Sequence, residues 1–306
     1  MRVFVTGASG YVGQAVVQEL LSAGHTVLAL ARSDASATAL RAKGVDVIRG
    51  SIEDLDSIKN GASESDGTIH LAFNHDFTRF NDSAAEELEV VRTIGSVYAG
   101  TNKPLVITGG TLSLPAGQIS NEDTPPVFEG ALAARTRNGS QALGLASQGV
   151  RISLIRLSPT THGENDKGFI YAITQFARRK GESIYIGDGL NRWTAVHRSD
   201  AARLYRLALE KGKAGSIYHA IGEEAVYLKD IAEAIGKTTG LPTVSKTLEE
   251  ALQHFEGFMA YPVSSDAPAT SNKTQEELGW KPSGPTILED INSGVYNSLE
   301  GGNWTT

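Results

Sequence analysis

Three glycines stand three residues apart in Thr6-Gly7-Ala8-Ser9-Gly10-Tyr11-Val12-Gly13, directly behind the apolar run at 3–5. Beyond them Val12, Val16 and Leu20 repeat at helical spacing, so the least helix-friendly ordinary residue is concentrated where a helix begins. A strand turning sharply into a helix accounts for this. Gly7 permits the turn, Gly10 lets a diphosphate approach the backbone, and Gly13 lets the helix pack close to the strand. The free N–H groups and partial positive charge of the helix N-terminus then face the phosphates.

The rest of the chain continues that alternation. Strands are expected at 2–5, 25–31, 45–48, 69–73, 105–107 and 151–155. Helices are expected at 12–21, 35–43, 53–60, 83–98 (opened by a capping box at Ser83 and Glu86) and 130–147. Strand–helix alternation means right-handed crossovers and an α/β fold: a Rossmann-type doubly wound parallel sheet with helices on both faces. Past 157 the regularity weakens, with helices at 168–179, 198–212 and 227–240, strands at 216–222 and 242–246, a loop at 257–272 and two short helices in 273–300. The organisation expected is a dinucleotide-binding domain at 1–157. Residues 158–306 then form mainly a smaller α/β substrate lobe, with some segments returning to the first domain.

Composition excludes several classes of function. A net charge of −7 argues against general binding to nucleic-acid phosphates. The absence of cysteine removes disulfides, thiolate catalysis and cysteine metal sites. No run approaches the ~18 apolar residues of a membrane span, and the short run at 3–5 is a poor signal peptide. No metal spacing such as HExxH occurs among the seven histidines. A soluble cytoplasmic protein with a small-molecule substrate, and without metal, membrane or nucleic-acid partners, is expected.

The end of the second strand bears on the cofactor. NAD sites commonly place an acid there to hold the ribose 2′-hydroxyl. This chain reads Leu30-Ala31-Arg32-Ser33, and a guanidinium with a hydroxyl suits the 2′-phosphate of NADP (NADPH) better than the bare ribose of NAD.

With these residues assembled, the chain resembles the short-chain dehydrogenase/reductase superfamily, in its extended or atypical, epimerase/dehydratase-like branch. The resemblance spans nearly the whole chain. TGASGYVG is similar to the branch's TGxxGxxG, Ile69-His70-Leu71-Ala72-Phe73 to its fourth-strand signature, RLSPTTHG (156–163) to its RxxxVYG turn, and TAVHRSDAARL (194–204) to its FVHVDDVA segment. The resemblance implies that Gly7, Ser9, Gly10, Tyr11, Val12 and Gly13 line the pyrophosphate, that Arg32 and Ser33 meet the 2′-phosphate, and that Ser51 and Ile52 flank adenine. Leu71, Ala72 and Phe73 would run beside the ribose, and Pro159 and Thr160 would approach the nicotinamide. Many such relatives pair as homodimers through helices of the first domain.

The family's Tyr-x-x-x-Lys is missing. Its usual spacing falls on Ala133 and Arg137, in a helix that holds neither tyrosine nor lysine. Reduction of a carbonyl needs a proton or an oxyanion partner as well as hydride. The candidates are His75 beside Asp76 after the fourth strand, Thr111 after the fifth, His162 after the sixth, and Arg135 and Arg137 near the vacant lysine position. His70, His197 and Asp200 read first as structural residues, while Trp193 and Tyr185 read equally as an apolar wall of the substrate pocket or as core. The function expected is an NADP(H)-dependent oxidoreductase reducing a small carbonyl or oxidising an alcohol. The alternatives are a non-catalytic NADP(H)-binding regulator or redox sensor, and an epimerase or dehydratase.

Overall fold

The computed structural model describes residues 1–255 and 259–297. The first half alternates β1 (Arg2–Thr6), α1 (Tyr11–Ser22), β2 (Thr26–Ala31), α2 (Asp34–Arg41), β3 (Asp46–Arg49), α3 (Leu55–Ser63), β4 (Gly67–His70), α4 (Phe80–Tyr98), β5 (Pro104–Gly110), α5 (Ala133–Ala142) and β6 (Arg151–Leu157). The second half runs β7 (Thr160–His162), α6 (Phe169–Lys180), β8 (Ser183–Ile186), β9 (Arg192–His197), α7 (Arg198–Lys211), β10 (Ser216–Ala220), β11 (Glu223–Tyr227), α8 (Leu228–Thr239) and β12 (Thr243–Lys246). It closes with α9 (Leu248–His254), α10 (Ala260–Ser264), α11 (Asn272–Leu278) and α12 (Ile287–Asn292).

The main sheet has seven strands in the order β10-β6-β5-β4-β1-β2-β3, and every pairing in it is parallel. The strand order reverses at β1, which lies between β2 and β4. In an open parallel sheet the crevice beyond the strand ends at such a reversal is where ligands bind. The buried strands carry apolar side chains on both faces. Val3 and Val5 pack with Val16, Val17 and Leu20 of α1 and Leu204 and Ala208 of α7. Phe4 turns the other way, onto Ile58 of α3 and Val90 and Ile94 of α4. Alternation along one strand thus fixes both helical layers.

The second lobe has its own core. Tyr171 and Phe176 of α6, Trp193 of β9 and Ile231 and Ile235 of α8 are all buried there. A three-stranded sheet, β11-β9-β7, and the pair β12-β8 support it. The segment 198–220 belongs with the first domain, since β10 extends the main sheet beside β6 and α7 packs its apolar face into the α1 core.

Several sequence expectations are displaced. The capping box at Ser83 does not open a helix: α4 starts at Phe80, behind a 3-10 turn capped by Asp76, and Ser83 is buried inside it. The helix expected over 130–147 is shorter, ending at Ala142 and continuing as 3-10 turns to Gln148. Strands β7, β8 and β9, within the stretch read as irregular, escaped the pattern because they are short and largely buried, and β11 escaped it because only Val226 of its five residues is buried. The loop expected at 257–272 contains α10, while 257 and 258, and residues 298–300 of the final expected stretch, lie outside the described residues. No helix among the described residues is long and apolar enough to cross a membrane.

Asp200 fastens the lobes together. Its buried carboxylate accepts the backbone N–H groups of Ser283 (2.9 Å) and Gly284 (2.7 Å) and pairs with Arg203, while its carbonyl accepts the Trp280 indole N–H. Asp200→Ala strands those donors, and we expect it to cost about 3 kcal/mol in urea unfolding. A loss below about 1 kcal/mol would show that the fastening is redundant.

Candidate active site

The glycine turn is a backbone-on-backbone contact. Gly7 has φ +71°, and a Cβ placed on it would lie 2.7 Å from the Ala72 nitrogen, so the segment after β4 sits directly against it. A Cβ on Gly13 would lie 2.0 Å from the Gly7 carbonyl oxygen. Helix α1 therefore starts pressed onto the loop that precedes it. Gly10 caps that helix without any side-chain hydrogen bond, and the first turn contains no acid. The N–H groups of Tyr11 and Val12 have no intrahelical acceptor, and the helix dipole adds to their positive character. This arrangement fits a dinucleotide diphosphate, because the space that side chains would fill is left beside unpaired donors.

Gly7, Gly10, Tyr11, Val12 and Gly13 form one end of a cavity of about 560 Å³. Leu71, Phe73 and Pro159, expected along the cofactor, line the same cavity, and so do His75 and Thr111. Other expected residues lie outside its wall. Ser9 is exposed. Ala72 backs Gly7 and donates its N–H to the Thr6 hydroxyl (3.3 Å). Thr160 is buried in β7, donating to the Thr194 carbonyl (2.9 Å). Ser51 and Ile52 lie between β3 and α3, with Ile52 against the α3–α4 core. Ser33 caps α2, its hydroxyl accepting the Ser36 N–H (3.1 Å). Arg32 is exposed at the end of β2 and has no hydrogen-bond or ion-pair partner among the described residues.

The three histidine and threonine candidates separate. Thr111 is fully buried at the cavity wall, its hydroxyl 3.1 Å from that of Thr194. His75 lies edge-on to the Phe73 ring, with centroids 5.3 Å apart. Burial, and then the Arg135 charge, hold its pKa below the ordinary histidine value, so the neutral imidazole is favoured. Asp76 does not tune it, because that carboxylate is engaged by the Thr78 N–H and hydroxyl. His162, placed by sequence near the reacting groups, is instead inside the second lobe. Strand β7 pairs in parallel with β9, and the fully buried His162 ring meets Asp290 of α12 (Nδ1–Oδ2 2.6 Å), outside the cavity wall.

Helix α5 presents a different face from the one the family spacing suggests. Leu132, Arg135, Thr136 and Gly139 line the cavity. Ala133 is buried outside that wall, and Arg137 is exposed, donating to the Phe128 carbonyl (2.7 Å). Arg135 carries the most constrained charge in the cavity. Its Nε and Nη2 grip both oxygens of Glu87 (2.7–3.2 Å), and its guanidinium lies 3.8 Å over the Phe73 ring. Its Nη1 has no partner among the described residues. Paired, stacked and two-thirds or more buried, it is a fixed donor with one open edge.

Two further groups were not among the expected site residues. Asp166 lines the cavity with 2% of its surface exposed, accepting from the Gly168 N–H (2.6 Å) and the Tyr296 hydroxyl (2.8 Å). Burial pushes its pKa up to about 6 despite those donors. Arg156 also borders the cavity. Trp193 is in the core with its indole N–H on the Pro262 carbonyl. The other residues read as structural are so placed, and His197 caps α7 by accepting the Ser199 N–H. His70 takes one bond, to the Thr6 hydroxyl, and burial drops its pKa to about 3.

The chain has relatives among known proteins. The model of the "NAD dependent epimerase/dehydratase family" matches residues 3–221. The chain belongs to that family. The uncharacterized protein C2A9.02 of Schizosaccharomyces pombe is 44% identical over 301 residues, covering 97% of this chain and all (100%) of that one. Sterol-4-alpha-carboxylate 3-dehydrogenase, decarboxylating, of Dictyostelium discoideum is 27% identical over 258 residues, 79% of this chain and 77% of the relative. Among solved structures, the dTDP-glucose 4,6-dehydratase DesIV of Streptomyces venezuelae, with NAD and TYD bound, superposes with a TM-score of 0.74 at 18% identity, covering 96% of each chain. Membership brings with it a nicotinamide cofactor and an NAD(P)-dependent enzyme of the oxidoreductase, epimerase or dehydratase kind.

Asp166 gives this site a pH signature. Its folded pKa is raised above the ordinary carboxylate value, so its contribution to stability is full below about 3.8 and is lost as pH rises through about 6. The span corresponds to roughly 3 kcal/mol. We expect Asp166→Asn to gain stability relative to the wild type between pH 4 and 7, read as thermal midpoints across that range. A difference independent of pH would mean that the buried carboxyl titrates normally.

Proposed function

We propose that the protein is an NADP(H)-dependent oxidoreductase that reduces a small carbonyl compound with NADPH or, in reverse, oxidises the matching alcohol with NADP⁺. The observation that carries this reading is a single cavity joining the diphosphate cradle to the Arg135–Glu87 pair. Bound at Gly7, Gly10, Tyr11, Val12 and Gly13, with Leu71, Phe73 and Pro159 alongside, a nicotinamide dinucleotide supplies the hydride.

The chain's own residues do the rest. The open Nη1 edge of Arg135 stabilises charge developing on the substrate oxygen, held in place by Glu87 and Phe73 so that no reorganisation is needed. The Thr111 hydroxyl and the neutral His75 imidazole offer hydrogen bonds that orient the carbonyl. Asp166, protonated in part near neutrality, is the carboxyl able to hold a proton where the family's tyrosine is absent. His162 hydrogen-bonds Asp290 inside the second lobe and reaches these groups only through its electrostatic effect on Asp166.

Arg32 is the proposed reader of NADP over NAD, an unpaired guanidinium at the end of β2. Two measurements test the reading. Purified protein is mixed with NADPH and a panel of aldehydes, ketones and imines while absorbance is followed. Turnover is expected with at least one carbonyl, and Arg135→Met should lower kcat on the order of a hundredfold while NADPH affinity stays within about twofold. Binding of NADPH with no turnover anywhere on the panel would favour the regulator, and net isomerisation with the cofactor recovered would favour an epimerase. Separately, Arg32→Asp should weaken NADPH by about tenfold or more and leave NADH almost untouched. An unchanged ratio removes Arg32 as the discriminator.

A further inference from the structure

The cavity wall contains a second arginine that the proposed reaction does not use. Arg156 lies at the end of β6 with 2% of its surface exposed. Its register neighbours are Gly109 of β5, which has no side chain to cover it, and His219 of β10. His219 aims the guanidinium. Its Nδ1 is 2.8 Å from the Thr270 carbonyl, so that nitrogen carries the proton and donates. Its Nε2, 3.3 Å away, then accepts from Arg156 Nη1, which also donates to the Thr124 carbonyl at 3.4 Å.

The other edge of the guanidinium is free. Nε and Nη2 have no partner among the described residues, and Arg156 makes no ion pair there. Glu122, whose charge acts on it, forms no ion pair with it; its Oε1 accepts from the Thr274 N–H (2.7 Å) and hydroxyl (2.6 Å). A buried cation held only by neutral groups is expensive. Of the other charged residues on the wall, Arg135 is paired with Glu87, Asp166 is engaged by the Gly168 N–H and the Tyr296 hydroxyl, and Lys167 is exposed. Arg156 is a buried cation on this wall that no carboxylate among the described residues meets in an ion pair. The free pair, Nε and Nη2, is the side of a guanidinium that takes both oxygens of a carboxylate in parallel.

Resting on the carbonyl-reduction reading, we propose that the substrate is a ketone or aldehyde that also bears a carboxylate, bound by Nε and Nη2 of Arg156, with its apolar body against Ile107, Leu154 and Leu157. A carboxylate suits one guanidinium and its planar two-donor edge better than a dianionic phosphate does.

The test separates this from the reaction itself. Phenylglyoxylate, 4-oxopentanoate and 4-oxo-4-phenylbutanoate, each with its methyl ester, are titrated calorimetrically into wild type, Arg156→Lys and Arg156→Gln in the presence of NADP⁺. At least one acid is expected to bind about tenfold or more tighter than its ester. The preference should shrink in Arg156→Lys and fall to within about twofold in Arg156→Gln. The proposal is overturned if no acid binds at about 10 mM, if esters match acids in the wild type, or if Arg156→Gln keeps the preference. Should Arg156→Gln fail to fold, the wild-type pairs and Arg156→Lys decide. NADPH consumption is followed separately: acid-selective binding without turnover would sink the reductase reading and leave the carboxylate site standing.

Discussion

Everything at this site depends on how closely α1 can approach the turn that leads into it. A side chain at position 13 would fall 2.0 Å from the Gly7 carbonyl, well inside any permitted contact. Because position 13 is glycine, the first helical turn rests on the loop, its unpaired N–H groups open toward the crevice beside β1. That crevice occurs where it does because the strand order reverses there, so the fold's topology and the cradle's chemistry coincide at one place. The segment after β4 closes the same contact from the other side through Ala72 and Gly7.

From that cradle the cavity runs to a set of charges that are not all alike. Arg135 is neutralised by Glu87 and flattened on Phe73, which makes it a rigid, oriented donor. Asp166 is buried among donors that only partly offset its desolvation. Arg156 keeps its charge, with burial lowering its pKa only to about 10. An enclosed space with a fixed donor, a carboxyl near its titration point and an unanswered cation is suited to a polar reaction on an anionic carbonyl compound. Its apolar lining would exclude water from the same space.

How much of this could be read from the chain depended on sequence distance. The strand–turn–helix cradle is local, and its residues lie within one stretch of sequence, so motif and structure coincide. The strand ends that bring Thr111 and His75 to the cavity were legible for the same reason: a residue just past a parallel strand faces the crevice. The rotation of a helix was not legible. Family spacing pointed to Ala133 and Arg137, whereas α5 turns Arg135 and Thr136 inward, because the long loop before it sets where the helix starts. Pairs across the chain left no trace at all. Glu87 and Arg135 come from separate helices, and Asp166 meets Tyr296 from the far end of the described chain. His162 was misplaced because a three-residue strand, β7, has too little pattern to reveal which way its side chains point.

The central claim is that the turn at Gly7, Gly10 and Gly13 is a working diphosphate site that continues into a reaction cavity. Calorimetric titration of the wild-type protein with NADPH and NADH, paired with melting curves, tests it most directly. The account predicts saturable heat at one site per chain, a raised melting temperature, and tighter binding of NADPH. Neither heat nor a melting shift with either dinucleotide would leave the cradle without its ligand and contradict the account at its base.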